Sequence, residues 1–450
     1  MTSYSTHQEI VPSNITSDGS LSYAGGQPTI QFLIGEQDRY IKPGSVRLVG
    51  EFTVFKTGTE VPLQADNIRM NDRLGVNSII DQLTISSQRT GQTMESINHW
   101  NRMMSSYTSV TQSQADFAGH TYETSLRFPN FSGQERGVIT NTQGANASGG
   151  DSPNEFCIPL VCGLFLGQDP IPLSSTWGVG GLRIDIQLAP DSNVLFSGGT
   201  DLAGDALIVN AYYRLNNVRL ICEVESPAPD QLSQLAGRTS NTFVYNSISS
   251  YYQTINSANA TLNFNLALSK VLGVFMNIVP ASHINNLLRD GLATLPFTNS
   301  DGSIAAVDQA VFTRAGERFP LQYNLDTIQK GGTAVDAANT TVDADLVRNY
   351  LNSVKAFAKL GRTSVDTTNL QYFSCNPQYM QAKERTKGGA AFGLGVSYDT
   401  ISDQGVDFSN VPFGVQLQLT LTTNSPQSIF LFAHSRQTVL STPNGIQILK

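Results

Sequence analysis

The chain has 450 residues, a net charge of −8 and only 14% charged side chains. That length exceeds one ordinary core and predicts two domains, each about the size of a large β-sandwich. The acidic balance, with no dense basic run at either end, argues against a nucleic-acid-binding domain, because neutralising phosphates takes clustered Lys and Arg; a polar but weakly charged surface instead suits burial against other copies, since soluble monomers carry about 25% charge.

Residues 1–26 are polar and aperiodic and read as an N-terminal arm without Lys or Arg. Its few apolar groups cannot offset the entropy of ordering it alone. Either neighbours hold it or it lies along its own sandwich as an edge strand. Met1 to Asn14 has neither a basic region nor an apolar core, so no secretion signal is read there. The longest apolar stretch, Val271 to Val279, is too short to span a bilayer.

From Thr29 the pattern is β. Strands are predicted at Thr29 to Ile34, Val46 to Phe55 with a bulge or bend at Gly50, Ile79 to Ile85, Phe156 to Phe165, Leu182 to Leu188 and Leu207 to Val224, the last with a phase change near Asn216-Asn217. Pro227 and Pro229 then mark a boundary, with one or two helical turns at Gln231 to Ala236. The second half repeats the plan: Phe243 to Ile255, Thr261 to Leu268, Val271 to Val279, Ala310 to Arg314, Phe392 to Tyr398, Val415 to Thr422 and Ile429 to Ser435. The alternation of Val415, Leu417, Leu419 and Leu421 with Gln416, Gln418 and Thr420 is a half-buried strand signal.

Each half also holds one helix. The first, Thr93 to Tyr107, places Ile97, Trp100, Met104 and Tyr107 on one stripe; the second, Asp343 to Leu360, places Val347, Leu351, Val354 and Ala358 there, with acids first and bases last. Two long segments, Thr108 to Asn154 and Ala281 to Val342, lack periodicity and read as long loops. The organisation is an arm (1–26), a first β domain (27–226), a linker (227–240) and a second β domain with a C-terminal tail (241–450).

No chemistry emerges from the motifs. There is no Gly-Lys pair for a Walker loop, and Gly178-Val179-Gly180-Gly181 fits a turn better than a dinucleotide fingerprint. His7, His99, His120, His283 and His434 are scattered, and no two stand at ligand spacing. Cys157, Cys162, Cys222 and Cys375 form no CxxC pair and read as buried free thiols in a reducing compartment. Asn-x-Ser/Thr triplets at Asn14, Asn130, Asn146, Asn259 and Asn339 read as chance in an Asn- and Thr-rich chain. Tyr212-Tyr213 and Tyr251-Tyr252, without interleaved bases, read as core and interface rather than a stacking platform. No catalytic, cofactor-binding or metal-ligating residue is assigned, and no cofactor is expected.

Several stretches, in order, resemble one family. They are Ile41-Lys42-Pro43-Gly44-Ser45-Val46-Arg47-Leu48-Val49-Gly50, then Gly75-Val76-Asn77-Ser78-Ile79-Ile80, Leu83-Thr84-Ile85-Ser86 and Gly91-Gln92-Thr93-Met94-Glu95. In the second half they are Val274-Phe275-Met276-Asn277-Ile278-Val279-Pro280, Phe319-Pro320-Leu321-Gln322 and Arg348-Asn349-Tyr350-Leu351. Together they resemble the double jelly-roll major capsid proteins of polinton-like viruses and virophages, more distantly related to adenovirus hexon. The resemblance implies an all-β fold of two consecutive eight-stranded antiparallel jelly rolls. It also implies a homotrimeric, pseudo-hexagonal capsomer tiling an icosahedral shell around DNA. The partners would be neighbouring capsomers, penton and minor capsid proteins, and the location the virion. The arm would then run under the capsomer to an adjacent subunit or a minor capsid protein. Two alternatives stay open at this point: a glycan-cleaving hydrolase on paired jelly rolls, which would need a secretion signal and a carboxylate cluster, and a carbohydrate-binding protein, whose aromatics would line one groove.

Overall fold

The structure is a computed structural model that describes residues 4–14, 22–26, 29–58, 68–71, 74–111, 154–167, 169–197, 206–207, 211–238, 240–287, 307–327, 344–357, 394–398, 405–412, 414–422, 424–442 and 444–449. The longer strands of the first half are β1 (Tyr4–Ile10), β2 (Ile30–Ile34), β3 (Arg47–Lys56), β4 (Ile80–Ser87), β5 (Thr93–Asn98), β6 (Asn154–Pro159), β7 (Leu182–Leu188) and β8 (Ala211–Ser226). Those of the second are β9 (Asn241–Ile255), β10 (Asn259–Phe264), β11 (Val271–Pro280), β12 (Val307–Arg314), β13 (Glu317–Phe319), β14 (Leu394–Ser397), β15 (Val415–Leu421) and β16 (Gln427–Thr442), with β17 (Gly445–Leu449) folded back on β16. The helices are α1 (Trp100–Thr111), α2 (Pro229–Ala236) and α3 (Ala344–Phe357), beside shorter turns.

In the first half, β1-β8-β3-β6 pair in that order as one antiparallel sheet, and β2-β7-β4-β5 as another. In the second half the orders are β9-β16-β11-β14 and β10-β15-β12-β13. Numbered within its own half, each sandwich therefore sets strands 1-8-3-6 against strands 2-7-4-5. The duplication expected from strand spacing exists as identical connectivity. The two halves are also joined edge to edge. β5 runs parallel to β9 through the Ser96–Ser249 pair, merging one sheet from each half into a continuous nine-stranded sheet.

Side-chain period explains which strands sit where. In β2, Ile30, Phe32 and Ile34 are buried while Gln31 and Leu33 face out; in β15, Val415, Leu417, Leu419 and Leu421 are buried between Gln416, Gln418 and Thr420. β11 is buried along its whole length. Its apolar run reads as a strand covered on both faces, and α1 and α3 cover the face turned away from β10-β15-β12-β13. β16 changes character midway, buried on both faces for its first nine residues and alternating afterwards. In β8 the phase change expected at Asn216-Asn217 is a bulge: Asn217 has φ 50° and the register shifts between Asn216 and Arg219. Gly50 lies opposite, where a Cβ would approach the Phe156 ring to 2.9 Å, so the bulge belongs to the partner strand and the glycine makes room for the ring.

Three expectations need correction, and one open choice is decided. Of the two places offered for the arm, residues 4–10 take the one along their own sandwich. β1 pairs along Leu220 to Ser226 of the same chain and is the first strand of the first sandwich. Its alternation of exposed and half-buried residues (Ser5, His7 and Glu9 outward) gives no hydrophobic signal, and main-chain hydrogen bonds to β8 place it. Thr93 to Asn98 is strand, not helix: it forms a hairpin with β4 around Gly91 (φ 69°), and α1 begins only after His99 turns the chain at φ 55°. Phe156 to Phe165 is not one strand, since β6 ends at Pro159 and Gly163–Leu166 is a helical turn with Cys162 Sγ accepting from Phe165 N. Leu207 to Val224 is divided, because Ala206–Leu207 pairs with Phe196–Ser197 and β8 starts at Ala211. The remainder of the long loops, Phe392, Gly361 and the ends of the second predicted helix lie outside the described residues.

Removing residues 2–12 should therefore unsettle the first sandwich itself. The loss of one edge strand is expected to cost on the order of 2 kcal/mol, lowering the thermal midpoint by roughly 4–8 °C. An unchanged midpoint in calorimetry would return these residues to the role of a tether.

Candidate functional site

The densest polar chemistry in the described residues lies where the two sandwiches meet. Glu95 stands on β5 between Met94 and Ser96, fully buried. Its Oε1 accepts from Gly163 N at 3.0 Å and Ile248 N at 2.7 Å, and its Oε2 from Leu164 N at 2.8 Å. One carboxyl thus binds a helical turn of the first sandwich and a strand of the second. Gly163 is pressed so close to β9 that a Cβ there would lie 1.5 Å from the Asn246 carbonyl oxygen. Tyr245 of β9 returns the contact by donating its hydroxyl to the Met94 carbonyl at 2.6 Å.

Arg102 makes a second clasp. It is buried in α1, and its Nη2 donates to the carbonyls of His283 at 2.6 Å and Asn286 at 2.7 Å. Asn277, the polar interruption in the apolar run of β11, donates to Ser105 Oγ at 2.6 Å. Asn71 donates to the Leu287 carbonyl at 2.9 Å, and Leu287 N to the Asn193 carbonyl at 2.8 Å. A helix from the first half of the sequence is thereby fixed on the sheet of the second, against α3. The rim of this clasp holds His99, with its ring 4.9 Å from Phe430 and 5.9 Å from Tyr252, and 3.8 Å from the Asp81 carboxylate.

Burial sets the protonation of these groups. It pushes the Glu95 carboxyl up to about 7, against the opposing pull of three backbone N–H donors. It drives the Cys162 thiol well above its usual range, with the Glu95 charge adding to the effect, so that thiol stays protonated and inert. Burial lowers His434 to about 3, which keeps its ring neutral beside Phe275. All three side chains are buried, Glu95 at the seam and His434 in the second roll. Among the described residues no group of three or more His, Cys, Asp or Glu side chains stands close enough to hold a metal ion, and no helix is long and apolar enough to cross a membrane.

The other residues singled out in the sequence do not converge. His7 is exposed at the far edge on β1, His283 is half-buried at the seam, and His120 and Cys375 lie outside the described residues. Cys157, Cys162 and Cys222 are free thiols. Tyr213 is buried with its hydroxyl on the Ala189 carbonyl, while Tyr212 stacks on Phe55 at 5.3 Å on the opposite face. The Asn14 side chain is wholly engaged by β2: its Nδ2 donates to the Thr29 carbonyl and its Oδ1 accepts from Gln31 N at 2.8 Å. Hollows of a few hundred Å³ lie on the described surface. One of about 340 Å³ on the first sandwich brings Glu51 and Glu155 together, held by Asn217 and flanked by Arg219. Another, of about 510 Å³, lies beneath α2. Glu95 and Arg102 were not recognisable as seam residues, because reading Thr93 to Tyr107 as one helix put both on its exterior.

No family model and no curated protein matches the sequence. Solved structures do match, over nearly the whole chain. A crystal structure of VP54 from PBCV-1, fitted into a reconstruction of the virophage Sputnik, aligns with a TM-score of 0.58 at 10% identity, covering 100% of this chain and 97% of the other. The Faustovirus major capsid protein aligns with a TM-score of 0.58 at 10% identity, covering 98% and 91%. The Sputnik virophage structure gives 0.54 at 11% identity, covering 99% and 88%. The chain has the double jelly-roll fold. The repeated 1-8-3-6 and 2-7-4-5 orders are the two jelly rolls, and the Glu95 and Arg102 clasps are what lock one roll to the other.

Two outcomes follow for the seam. Gly163→Ala should destabilise the double jelly roll by about 3 kcal/mol, since the carbonyl it meets is main chain and cannot swing aside; urea midpoints measure this. Glu95 holds its proton more tightly when folded than unfolded, so its contribution is complete below about pH 4.5 and is lost as the pH rises to about 7. The difference in unfolding free energy between wild type and Glu95→Gln should therefore shift against the wild type by about 3 kcal/mol across that window. A pH-independent difference would show that the carboxyl is ionised throughout.

Proposed function

We propose that this chain is a major capsid protein. Three copies form a pseudo-hexagonal capsomer, and capsomers tile an icosahedral shell that encloses DNA in the virion. The observation that carries this reading is coverage. The likeness to the Faustovirus major capsid protein takes in 98% of this chain and 91% of that one, so it spans both rolls and not one of them. The surface supports it. On the outer face of the β10-β15-β12-β13 sheet, β10 and β15 display Asn259, Thr261, Asn263, Gln416, Gln418 and Thr420, an uncharged stripe that costs less to desolvate against another copy than charged side chains would. The first roll is taken to run to residue 226, with 227–240 as the link and 241–450 as the second roll and tail. Penton and minor capsid proteins are the further partners. No catalytic, cofactor or metal role is assigned to any residue.

The test is direct. Purified protein should sediment as a homotrimer, and negative-stain class averages should show a three-fold particle with a hexagonal outline, its subunit interfaces burying on the order of 2,000 Å² or more. A folded monomer at micromolar concentration, or glycan hydrolysis by the purified chain, would overturn the reading.

A further inference from the structure

Inside the chain the two rolls meet through two particular strand positions. β5 is the last strand of the 2-7-4-5 sheet of the first roll, and β9 is the first strand of the 1-8-3-6 sheet of the second. Both positions exist once more in the same chain. β13 ends the 2-7-4-5 sheet of the second roll, and β1 begins the 1-8-3-6 sheet of the first. Among the described residues β13 pairs only with β12, and β1 only with β8, so each keeps one main-chain edge unpaired.

Resting on the capsomer reading, we propose that β13 of one copy lies along β1 of the next, repeating between chains the β5–β9 contact made within each chain. The partner is a second copy, and the contact is heterologous: one edge of each chain meets the other edge of its neighbour. Such a contact propagates around a rotation axis and closes when the rotation permits. The β5–β9 join shows that these two sheet ends fit side by side.

The surroundings of the two edges agree with this. An unpaired strand edge is normally blunted by proline, lysine, a bulge or a covering segment. β1 has none of the first three in its seven residues, and among the described residues its side-chain contacts outside the sheet include Gln8 with Gln37 and Thr6 with Arg39. Leu321, two residues beyond β13, is 68% exposed, the most exposed of the large apolar side chains described. By contrast the opposite edge of the first roll, β2, is closed by its own chain, with Ser13 N donating to the Gln31 carbonyl and Asn14 capping beside it.

Hydrogen exchange on the full-length wild-type protein, compared between its trimeric state and the monomer obtained by dilution, tests the contact without any mutation. Amides of residues 4–10 and 317–322 should gain at least tenfold protection in the trimer. Leu321→Asp should raise the trimer dissociation midpoint at least tenfold with an unchanged circular dichroism spectrum, whereas Leu33→Asp, on the closed edge, should not. A trimer whose added protection falls elsewhere, or one equally indifferent to both substitutions, overturns the edge contact and leaves the capsid reading intact. A wild-type chain that stays monomeric at every concentration overturns the capsid reading first, and this contact with it.

Discussion

A strand at the end of a sheet carries a row of main-chain donors and acceptors that must be satisfied, and much of this architecture follows from how the open edges are treated. Two sandwiches on one chain could be tethered by residues 227–240 alone. Here instead β5 is laid against β9, and the joint is reinforced by a buried carboxyl that accepts main-chain N–H groups from both sides. Isolated, a buried carboxylate is costly. With three donors in place and a proton available near neutrality, Glu95 is tolerable and sets the register of the joint. Gly163 is the steric counterpart, since only a residue without Cβ lets the two main chains approach so closely.

Rigid attachment changes what the second roll can be. Its β11 and the first nine residues of β16 are buried on both faces because α1 arrives from the other half of the sequence and lies beside α3. In that cover the Arg102 guanidinium donates to main-chain carbonyls of the second roll, an arrangement suited to a contact that is made once and kept. The chain is best regarded as one block with two similar halves, not as two domains on a hinge.

Much of this was legible in the sequence, for identifiable reasons. Strands with one wet face, such as Leu182–Leu188 and Val415–Leu421, announce themselves by alternation. The phase change at Asn216-Asn217 marks the irregular point of β8, although the bulge itself was expected across from it at Gly50. What escaped detection was decided by tertiary contact. Thr93–Asn98 has a composition that serves equally as the first turns of a helix, and only its pairing with Ile80–Ser87 makes it a strand. The seam residues were hidden with it. The first strand stayed one of two alternatives because Tyr4–Ile10 has little apolar pattern beyond Ile10; its structure comes from backbone hydrogen bonds, which leave no mark in side-chain pattern.

That same strand has a temporal consequence. The register Tyr4–Ser226 means that Tyr4–Ile10 has no partner on leaving the ribosome until Leu220–Ser226 has followed it. At ordinary elongation rates the delay is roughly ten to forty seconds, a long time for an unpaired strand to remain exposed in a crowded cell. A Val- and Ile-rich segment in that position would be an invitation to pair with other nascent chains. Ser5, Thr6, His7, Gln8 and Glu9 form a strand that can wait in water harmlessly and still zip onto β8 when it emerges. The polarity that hid this strand from a reading of the sequence is what makes it safe to synthesise long before its partner.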